Sequence, residues 1–467
     1  MNKEKEFDNF LIDFPQYKNT FELDRLRAKE YSRLDKQGHV YLDYTGGGIY
    51  AESQLKAHLE ILNSGIYGNP HSENPTSMAS TKMVKNVRKS VLSFFNASED
   101  VYDIVFTSNA SSAIKLVAEA YPFCAKSKLM LLFDNHNSVN GMREYAHHEK
   151  AKVEYLPVYP PELRVNEEEL TKCLNDVDTD GNNLFVYPAQ SNFSGVQHSL
   201  EWIEKAQNAG WDVMLDAAAF VPSNEMDLSK WQPDFIPLSF YKMFGYPTGI
   251  GALIIKKTML KKLKRPWFAG GTIKLASVQG ETHLMHENHE GFEDGTVNYL
   301  GFPAVEIGLN HLKNIGMDII HIRVYSLVKW LIDKLVTLKH DNGNNLVSFY
   351  GDPSDTRRGG NIAINLYDKD SKLIDFRFFE KMANEKLISI RTGCFCNPGA
   401  SESHFGITKS EIIDIMEKKS ENFNDYLEII RNEDGKNAGG IRISFGVASN
   451  FDDAWKIYEL IQSLLNK

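Results

Sequence analysis

Lys242 and Asp216 are the two residues whose type and placement most directly suggest chemistry. Lys242 ends the segment SFYK at 239–242, after an apolar run and before a glycine-rich turn. A lysine there could form a Schiff base with a carbonyl cofactor, although a surface lysine beside a turn is the simpler interpretation. Asp216 ends the apolar segment 213–216, and its carboxylate could keep a pyridinium nitrogen protonated. Taken alone, it is more readily an N-cap residue that starts a helix.

Hydroxyl and imidazole groups follow two further apolar segments. Residues 106–112 read FTSNASS and precede an expected helix, which places Ala110 and Ser111 at a helix N-terminus. Backbone N–H groups and the positive end of the helix dipole suit a phosphate there, but ordinary serine capping explains the pattern nearly as well. His136 follows the expected strand 129–134 and could stack on an aromatic cofactor. A lone histidine, however, is more often structural.

A short loop rich in Gly and Pro carries an arginine and two thiols. It reads RTGCFCNPG from Arg391 onwards and contains Cys394 and Cys396. Arg391 could bind a carboxylate through two parallel hydrogen bonds, and a thiolate on an exposed loop could be a nucleophile. The rival interpretation is a metal site with His404 as a third ligand. The sequence has four cysteines and no second closely spaced pair, so we predict no metal site.

Composition and charge disfavour several classes of function. The 467 residues include 52 Lys and Arg against 62 Asp and Glu, and the resulting net charge of −10 disfavours binding to nucleic acid or anionic membranes. No apolar run approaches the roughly 20 residues that cross a bilayer. The charged N-terminal residues contain no apolar signal-peptide core. Four cysteines are too few for a disulfide scaffold, so we expect a reducing cytoplasm.

Short apolar segments alternate with amphipathic ones between about residues 75 and 315. This alternation predicts an α/β fold with a large, mostly parallel sheet covered on both faces. The expected strands are 102–107, 129–134, 153–158, 184–188, 213–216, 235–239 and 251–255.

A smaller α/β unit is expected after one or two long helices within 301–339. Its expected strands are 361–366, 388–391 and 441–445, and its expected helices are 376–383 and 453–465. We therefore predict an N-terminal segment 1–45 that packs with the small domain, a large cofactor-binding domain 46–315, and a small C-terminal domain 316–467 that carries the cysteine loop.

Six phrases carry a resemblance to a known family. They are GNPHS at 68–72, PAQSNFSG at 188–195, LDAAAF at 215–220, SFYKMFGYPTGIGA at 239–252, FEDGT at 292–296 and RTGCFCNPGA at 391–400. In order and spacing they resemble the class V branch of the fold-type I pyridoxal-phosphate enzymes, the aspartate aminotransferase-like fold, which includes the cysteine desulfurases. The similarity is strongest to the N-terminal domain of the molybdenum cofactor sulfurases. Desulfurases usually have Gln and His where this chain has Ala219 and Tyr241, and both changes match the sulfurase pattern.

The resemblance implies a role for each candidate site residue. Lys242 would hold pyridoxal 5′-phosphate covalently, and Asp216 would pair with its pyridine nitrogen. Arg391 would bind the substrate carboxylate, and Cys396 stands where the desulfurases carry their persulfide-forming cysteine. The other implied contacts are His136 over the cofactor ring, Asn192 on the ring hydroxyl, Ala110, Ser111, Ser239 and Tyr241 on the phosphate, and Thr296 on the phosphate of the other subunit of a homodimer.

The implied reaction takes sulfur from L-cysteine, releases alanine and leaves a persulfide on Cys396. Lys242 would move the Cα proton, and His136 or the substrate would accept the proton of the Cys396 thiol. The final acceptor could be a sulfur-acceptor protein or the molybdenum cofactor. Ser401 stands where the sulfurases have a cysteine, which leaves that acceptor open. Cys394 is expected to pack or support the loop.

Two other functions stay open at this point. One is another class V reaction, such as that of an aminotransferase, an epimerase or a β-lyase, which would need Lys242 and Asp216 but not Cys396. The other is a non-catalytic sulfur-carrier or partner-binding protein with the same fold. The intact set of Lys242, Asp216 and His136 disfavours that second alternative.

Overall fold

The strands of the protein are short and lie throughout the chain. The computed structural model describes residues 2–417, 423–434 and 436–467. Within these ranges the strands are β1 (Val40–Tyr41), β2 (Tyr102–Thr107), β3 (Lys128–Leu132), β4 (Lys152–Leu156), β5 (Leu184–Pro188), β6 (Asp212–Asp216), β7 (Phe235–Ser239), β8 (Gly251–Lys256), β9 (Ile273–Ser277), β10 (Thr282–Met285), β11 (Val347–Phe349), β12 (Asn361–Tyr367), β13 (Leu373–Ile374), β14 (Ile388–Ser389), β15 (Arg391–Gly393) and β16 (Gly440–Ser444).

Helices separate most of these strands. They are α1 (Lys3–Asp13), α2 (Glu22–Glu30), α3 (Arg33–Lys36), α4 (Glu52–Ser64), α5 (Pro75–Phe94), α6 (Ala110–Ala120), α7 (Asn137–Asn140), α8 (Met142–His148), α9 (Glu167–Asn175), α10 (Trp202–Asn208), α11 (Phe240–Phe244), α12 (Lys257–Lys262), α13 (Phe302–Ile315), α14 (Met317–Val336), α15 (Phe376–Glu385), α16 (Pro398–Phe405), α17 (Lys409–Glu417), α18 (Phe423–Asp434) and α19 (Phe451–Gln462), with 3₁₀ turns at Pro15–Thr20 and His289–Phe292.

The central sheet contains seven strands in the order β2-β8-β7-β6-β5-β3-β4. β8 runs antiparallel to both of its neighbours, and every other pair in this sheet is parallel. β3, β5 and β7 are buried along their whole length, as apolar strands are when helices cover both faces of a sheet. The carboxyl ends of β2 to β7 therefore share one edge of the sheet.

The predicted strands of the large sheet are confirmed, each within two residues at either end. The predicted strand 388–391 is wrong as a single element. β14 pairs with β1, whereas β15 pairs with β16 in a different sheet. The chain breaks at Ile390 because it passes from one sheet to the other. The expected helical region before the small unit consists of α13 and α14, separated by Gly316 at φ 91°.

A second sheet lies in the C-terminal part of the chain. Its order is β11-β12-β16-β15, with β13 beside β12, and all of its pairs are antiparallel. The N-terminal segment contacts this part, because β1 pairs with β14 and the Phe10 ring lies 5.0 Å from that of Phe451. The domain boundaries at residues 45 and 315 stay predictions.

Buried ion pairs also attach the N-terminal helices to the rest of the chain. The guanidinium of Arg27 donates to both carboxylate oxygens of Asp453 at the start of α19, with Nη2 3.2 Å from Oδ1. Their side chains are 5% and 2% exposed. Removing one partner of such a pair leaves an unpaired buried charge, which typically costs about 3–5 kcal/mol. None of the helices in the described ranges is long and apolar enough to span a membrane.

Candidate active site

A cavity of about 170 Å³ opens at the carboxyl ends of the parallel strands. Parallel α/β sheets commonly bind ligands at this edge, because the loops that leave neighbouring strands converge there. Eight of the residues that the sequence singles out line the cavity together: Ala110, Ser111, His136, Asn192, Asp216, Ser239, Tyr241 and Lys242. These eight residues belong to motifs that lie up to 132 residues apart in the sequence.

The N-terminus of α6 forms one end of the cavity. The Ala110 N–H donates to Ser239 Oγ at 2.9 Å, and Asn109 caps the helix by accepting from the Ser112 N–H at 3.0 Å. The Ser111 and Ser138 hydroxyls lie 2.6 Å apart. No acidic side chain lies in the first turn of this helix. Hydroxyls, backbone N–H groups and a helix dipole whose first turn carries no carboxylate suit a phosphate.

Asp216 and Lys242 face the cavity from neighbouring strand ends. Asp216 is buried, and its Oδ1 accepts from the Ala218 N–H at 3.0 Å. Burial lowers the pKa of the Lys242 amine, and the negative charge of Asp216 opposes that shift. The lowered pKa increases the share of neutral amine, which is the form that attacks carbonyl carbons and accepts protons.

His136 lies between β3 and the first turn of α7. Burial lowers the pKa of its imidazole, and the positive charge of Lys242 lowers it further. His136 Nδ1 accepts from the Ser138 N–H at 3.1 Å. In the neutral ring, which this environment favours, the proton then lies on Nε2. His136 thus offers a flat ring and one N–H donor to the cavity.

The loop that carries the two thiols is held in a strained conformation beside the cavity. Phe395 and Cys396 have φ values of 53° and 55°. Residues other than glycine seldom adopt this left-handed backbone conformation. The Asn192 side chain donates to the Phe395 carbonyl at 2.8 Å, and the Asn137 N–H donates to the Cys396 carbonyl at 2.7 Å.

Asn397 completes this set of contacts. Its side chain is fully buried, and its Nδ2 donates to the Asp134 carbonyl at 2.6 Å and to Asn192 Oδ1 at 2.9 Å. We call Asn137, Asn192 and Asn397 the amide latch. It joins the cysteine loop to the loops that follow β3 and β5 and holds the two strained residues in place.

The two cysteines of the loop differ in exposure. Cys396 is exposed, whereas Cys394 is partly buried, and that burial raises the pKa of the Cys394 thiol. Of the two, Cys396 is the more accessible to a substrate or an acceptor. Neither cysteine lines the cavity, and neither does Arg391 or Thr296. Thr296 is exposed, and its Oγ1 accepts from Asn69 Nδ2 at 3.1 Å.

Sequence reasoning missed several residues of this site. Asp43 accepts from both Arg391 and Arg442, and Gln190 and Ser138 line the cavity. The signal for Arg442 was present, since it is a charged residue within the apolar strand GIRIS. Nothing in the local sequence distinguishes Asp43 from an ordinary residue after a strand.

The rival interpretation of the cysteine loop is a metal site with His404 as a third ligand. Among the residues that the structure describes, no group of three or more His, Cys, Asp or Glu side chains is placed to hold a metal ion. The His404 ring packs against Tyr350 at 4.4 Å, and burial lowers the pKa of His404 to about 4.

Known proteins match nearly the whole chain. A family model described as Aminotransferase class-V matches residues 40–456. The molybdenum cofactor sulfurase of Solanum lycopersicum is 35% identical over 497 residues, covering 99% of this chain and 60% of that protein. The Homo sapiens protein of the same name is 37% identical over 453 residues, covering 92% of this chain and 50% of that protein. The chain thus spans about half or slightly more of the length of these two relatives.

Solved structures share the fold at lower identity. A cysteine desulfurase from Thermococcus onnurineus NA1 has a TM-score of 0.75 and 22% identity, covering 94% of this chain and 97% of that chain. The cysteine desulfurase CsdA from Escherichia coli has a TM-score of 0.73 and 18% identity, covering 95% and 98% of the two chains. Likeness at this level of identity shows the fold alone, and it confirms the predicted fold.

The amide latch is tested by Asn397→Ala. The variant leaves the Asp134 carbonyl and Asn192 Oδ1 without a donor, a loss worth about 1–3 kcal/mol. Amide hydrogen exchange in residues 391–397, measured by mass spectrometry, should rise about tenfold or more. Ser401→Ala is the matched control, because the buried Ser401 hydroxyl donates within α16, to the Pro398 carbonyl. Equal exchange in Asn397→Ala and wild type would show that the side chain does not hold the loop.

Proposed function

Because this chain belongs to the class V aminotransferase family, we propose that it is a pyridoxal 5′-phosphate-dependent sulfurtransferase that takes sulfur from L-cysteine. The observation that carries the proposal is the convergence of Lys242, Asp216 and His136 on one cavity, beside a latched loop with an exposed cysteine. The relatives named molybdenum cofactor sulfurase support it.

The donor set around the cavity fits pyridoxal 5′-phosphate. The N-terminus of α6 with Ser111 and Ser239 would bind the phosphate, Asp216 the ring nitrogen and Lys242 the aldehyde carbon, while His136 would cover the ring. One Asn192 amide hydrogen already bonds the Phe395 carbonyl, and the other would bind the ring hydroxyl. When bound, the cofactor withdraws electrons from the amino acid and weakens the bonds at Cα.

Side chains of this chain would then bind and activate cysteine. Arg391 would bind its α-carboxylate through a charge-assisted hydrogen bond. The amine of Lys242, whose pKa is lowered by burial, would take the Cα proton. His136 has Nδ1 engaged by the Ser138 N–H, so it would act through its Nε2–H as a donor and not, as the sequence suggested, as the acceptor of the Cys396 proton. The thiol of Cys396 is exposed and would lose its proton to solvent or to the substrate.

The transfer itself needs no external oxidant or reductant. The Cys396 thiolate forms an S–S bond with the substrate Sγ while the Cβ–Sγ bond breaks. The electron pair of that bond stays on Cβ, which takes up a proton. L-Cysteine and the enzyme thiol thus become L-alanine and an enzyme persulfide, with atoms and electrons balanced.

We also propose the setting of this reaction. The sulfur would pass from Cys396 to a sulfur-acceptor protein or to the molybdenum cofactor, the acceptor that the names of the relatives suggest. The proposed compartment is the cytoplasm, where the four free cysteines of the chain stay reduced.

A homodimer with shared sites is part of the proposal. The exposed Thr296 is proposed to reach the phosphate in a second copy. The chain exposes large apolar side chains, among them Ile66 at 79% and Trp267 at 51%, and Trp267 lines a cavity together with Val297. Two cavities of about 530 and 430 Å³ are both lined by the neighbouring Val297. Apolar surface of this kind favours association with another copy of the chain.

Lys242→Ala tests the cofactor proposal. Wild-type protein purified with pyridoxal phosphate should be yellow, and borohydride should fix the cofactor to Lys242. The variant loses both the covalent link and the proton acceptor, so alanine production should fall by at least about 10³-fold. The exposed Lys172 provides the control, since Lys172→Ala should match wild type. A wild-type protein that stays colourless with added cofactor contradicts the proposal.

The position of the persulfide is tested with Cys396→Ser and Cys394→Ser. Cys396→Ser should stay yellow and still bind cysteine, because neither property needs the thiol, yet lose sulfur transfer. Cys394→Ser should retain at least part of it. Mass spectrometry after incubation with cysteine should find about one extra sulfur atom on Cys396. Extra sulfur on Cys394 together with continued turnover would reverse the assignment, and unmodified thiols without alanine would favour another class V reaction.

Thr296→Ala tests the shared site. Sedimentation should show wild type as a dimer, and the variant should bind pyridoxal phosphate about tenfold more weakly, the worth of one hydrogen bond to a charged group. The rate of fully loaded enzyme should change much less. Thr337→Ala alters an exposed threonine at the end of α14 and serves as control. An active wild-type monomer at working concentration would disprove the shared site.

A further inference from the structure

Two arginines face each other across the small sheet. In the antiparallel pair of β15 and β16, Arg391 lies directly opposite Arg442. Like charges in this position destabilise a sheet. The Asp43 carboxylate lies between them, with Oδ2 accepting from Arg391 and Oδ1 accepting from Arg442 Nη2 at 2.9 Å. One carboxylate therefore neutralises the repulsion between two cations.

The backbone holds Asp43 in this position. β1 pairs with β14 just before it, and Asp43 itself bridges to Ser444 at the end of β16. The Asp43 side chain is 10% exposed and that of Arg442 is 4% exposed. A Cβ on Gly46 would lie 2.6 Å from Asp43 Oδ2 and 2.7 Å from Arg391 Nη2. The absence of a side chain at residue 46 leaves room for this ion pair.

Asp43 engages only one edge of the Arg391 guanidinium. Its Oδ2 accepts from Nε at 3.0 Å and from Nη2 at 2.6 Å. Arg391 Nη1 donates to no protein atom in the part of the chain that the structure describes. The Nη1–Nη2 edge is thus available, and it is the edge that can bind a carboxylate with two parallel hydrogen bonds.

The available edge lies near the cavity wall. Gly47, next to Gly46, approaches the ring of Tyr241, since a Cβ there would lie 3.5 Å from that ring. Tyr241 lines the cavity. The Arg391 side chain is 53% exposed, so a small carboxylate can reach it, whereas Arg442 is buried and also donates to the Asn192 carbonyl at 3.0 Å.

We propose that Asp43 is a positioning residue that holds Arg391 by its Nε–Nη2 edge, so that the Nη1–Nη2 edge receives the α-carboxylate of the amino-acid substrate. Arg442 anchors Asp43 from the other side and does not meet the substrate. This role rests on the proposed function, because it assumes that an amino acid enters the cavity.

Asp43→Asn tests the proposal, because the amide keeps the shape of the side chain and removes its charge. With L-cysteine, KM should rise about tenfold while kcat changes less than about threefold, since the lost orientation affects carboxylate binding and not the later steps. The absorbance shift of the cofactor band should show about tenfold weaker binding of L-alanine and unchanged binding of ethylamine, which lacks a carboxylate. In an Arg391→Ala background, Asp43→Asn should add nothing.

Asp453→Asn is the matched control. This substitution also removes a buried carboxylate that pairs with an arginine, in this case Arg27. Asp453, however, does not line the cavity. The substitution should lower thermal stability and leave both affinities unchanged. Equal weakening of L-alanine and ethylamine would show a merely structural role for Asp43. An unchanged KM for cysteine in Asp43→Asn would overturn the proposal. A lower KM would also overturn it, because Asp43 would then compete with the substrate carboxylate for Arg391.

A second measurement does not depend on the cofactor. Phenylglyoxal modifies arginines, and peptide mass spectrometry locates the modification at Arg391. Propionate should protect Arg391 in wild type, and about tenfold more propionate should be needed in Asp43→Asn. Equal protection in both proteins would disprove the role of Asp43 even if the protein bound no cofactor. A wild type that shows this protection but does not act on cysteine would disprove the proposed function and not the role of Asp43.

Discussion

The common direction of β2 to β7 is the constraint on which the rest of the structure depends. Because these strands are parallel, the residues that follow them meet at one edge of the sheet. Helices must cover both faces of such a sheet, which explains why β3, β5 and β7 are buried throughout. The cavity, its helix N-terminus and its charged groups are consequences of this arrangement.

The second sheet brings Arg391 and the cysteine loop to this edge of the large sheet. β15 leads from Arg391 into the cysteine loop, and the amide latch joins that loop to the large sheet. Asp43 attaches the N-terminal segment to the second sheet, because its carboxylate accepts hydrogen bonds from Arg391 and Arg442. Three distant parts of the chain are therefore joined by polar contacts around one cavity, and each contact satisfies a group that would be costly to leave buried and unpaired.

Burial sets the electrostatics of the cavity. It lowers the pKa values of both Lys242 and His136, and each cation would also repel the other. Asp216 provides the opposing negative charge. The amine of Lys242 and the imidazole of His136 are therefore readily neutral, and they lie beside a carboxylate that can pair with a pyridinium. Such a set of groups is suited to moving protons at an amino acid. Arg391 contrasts with them, because its hydrogen bond to Asp43 raises its pKa and keeps it cationic.

The sequence by itself predicted the strands of the large sheet, and eight of the residues that it singled out line one cavity. Lys242, Asp216, His136 and Ala110 each lie at or just after their own apolar segment, and the family resemblance of the six phrases assigned all four to one cofactor site. Only the tertiary structure decided the partners of Arg391 and the conformation of the cysteine loop. Asp43 and Arg391 are 348 residues apart, and Asn192 and Asn397 are 205 apart. No local propensity encodes such pairs, because they form only when the strand order of two sheets is fixed.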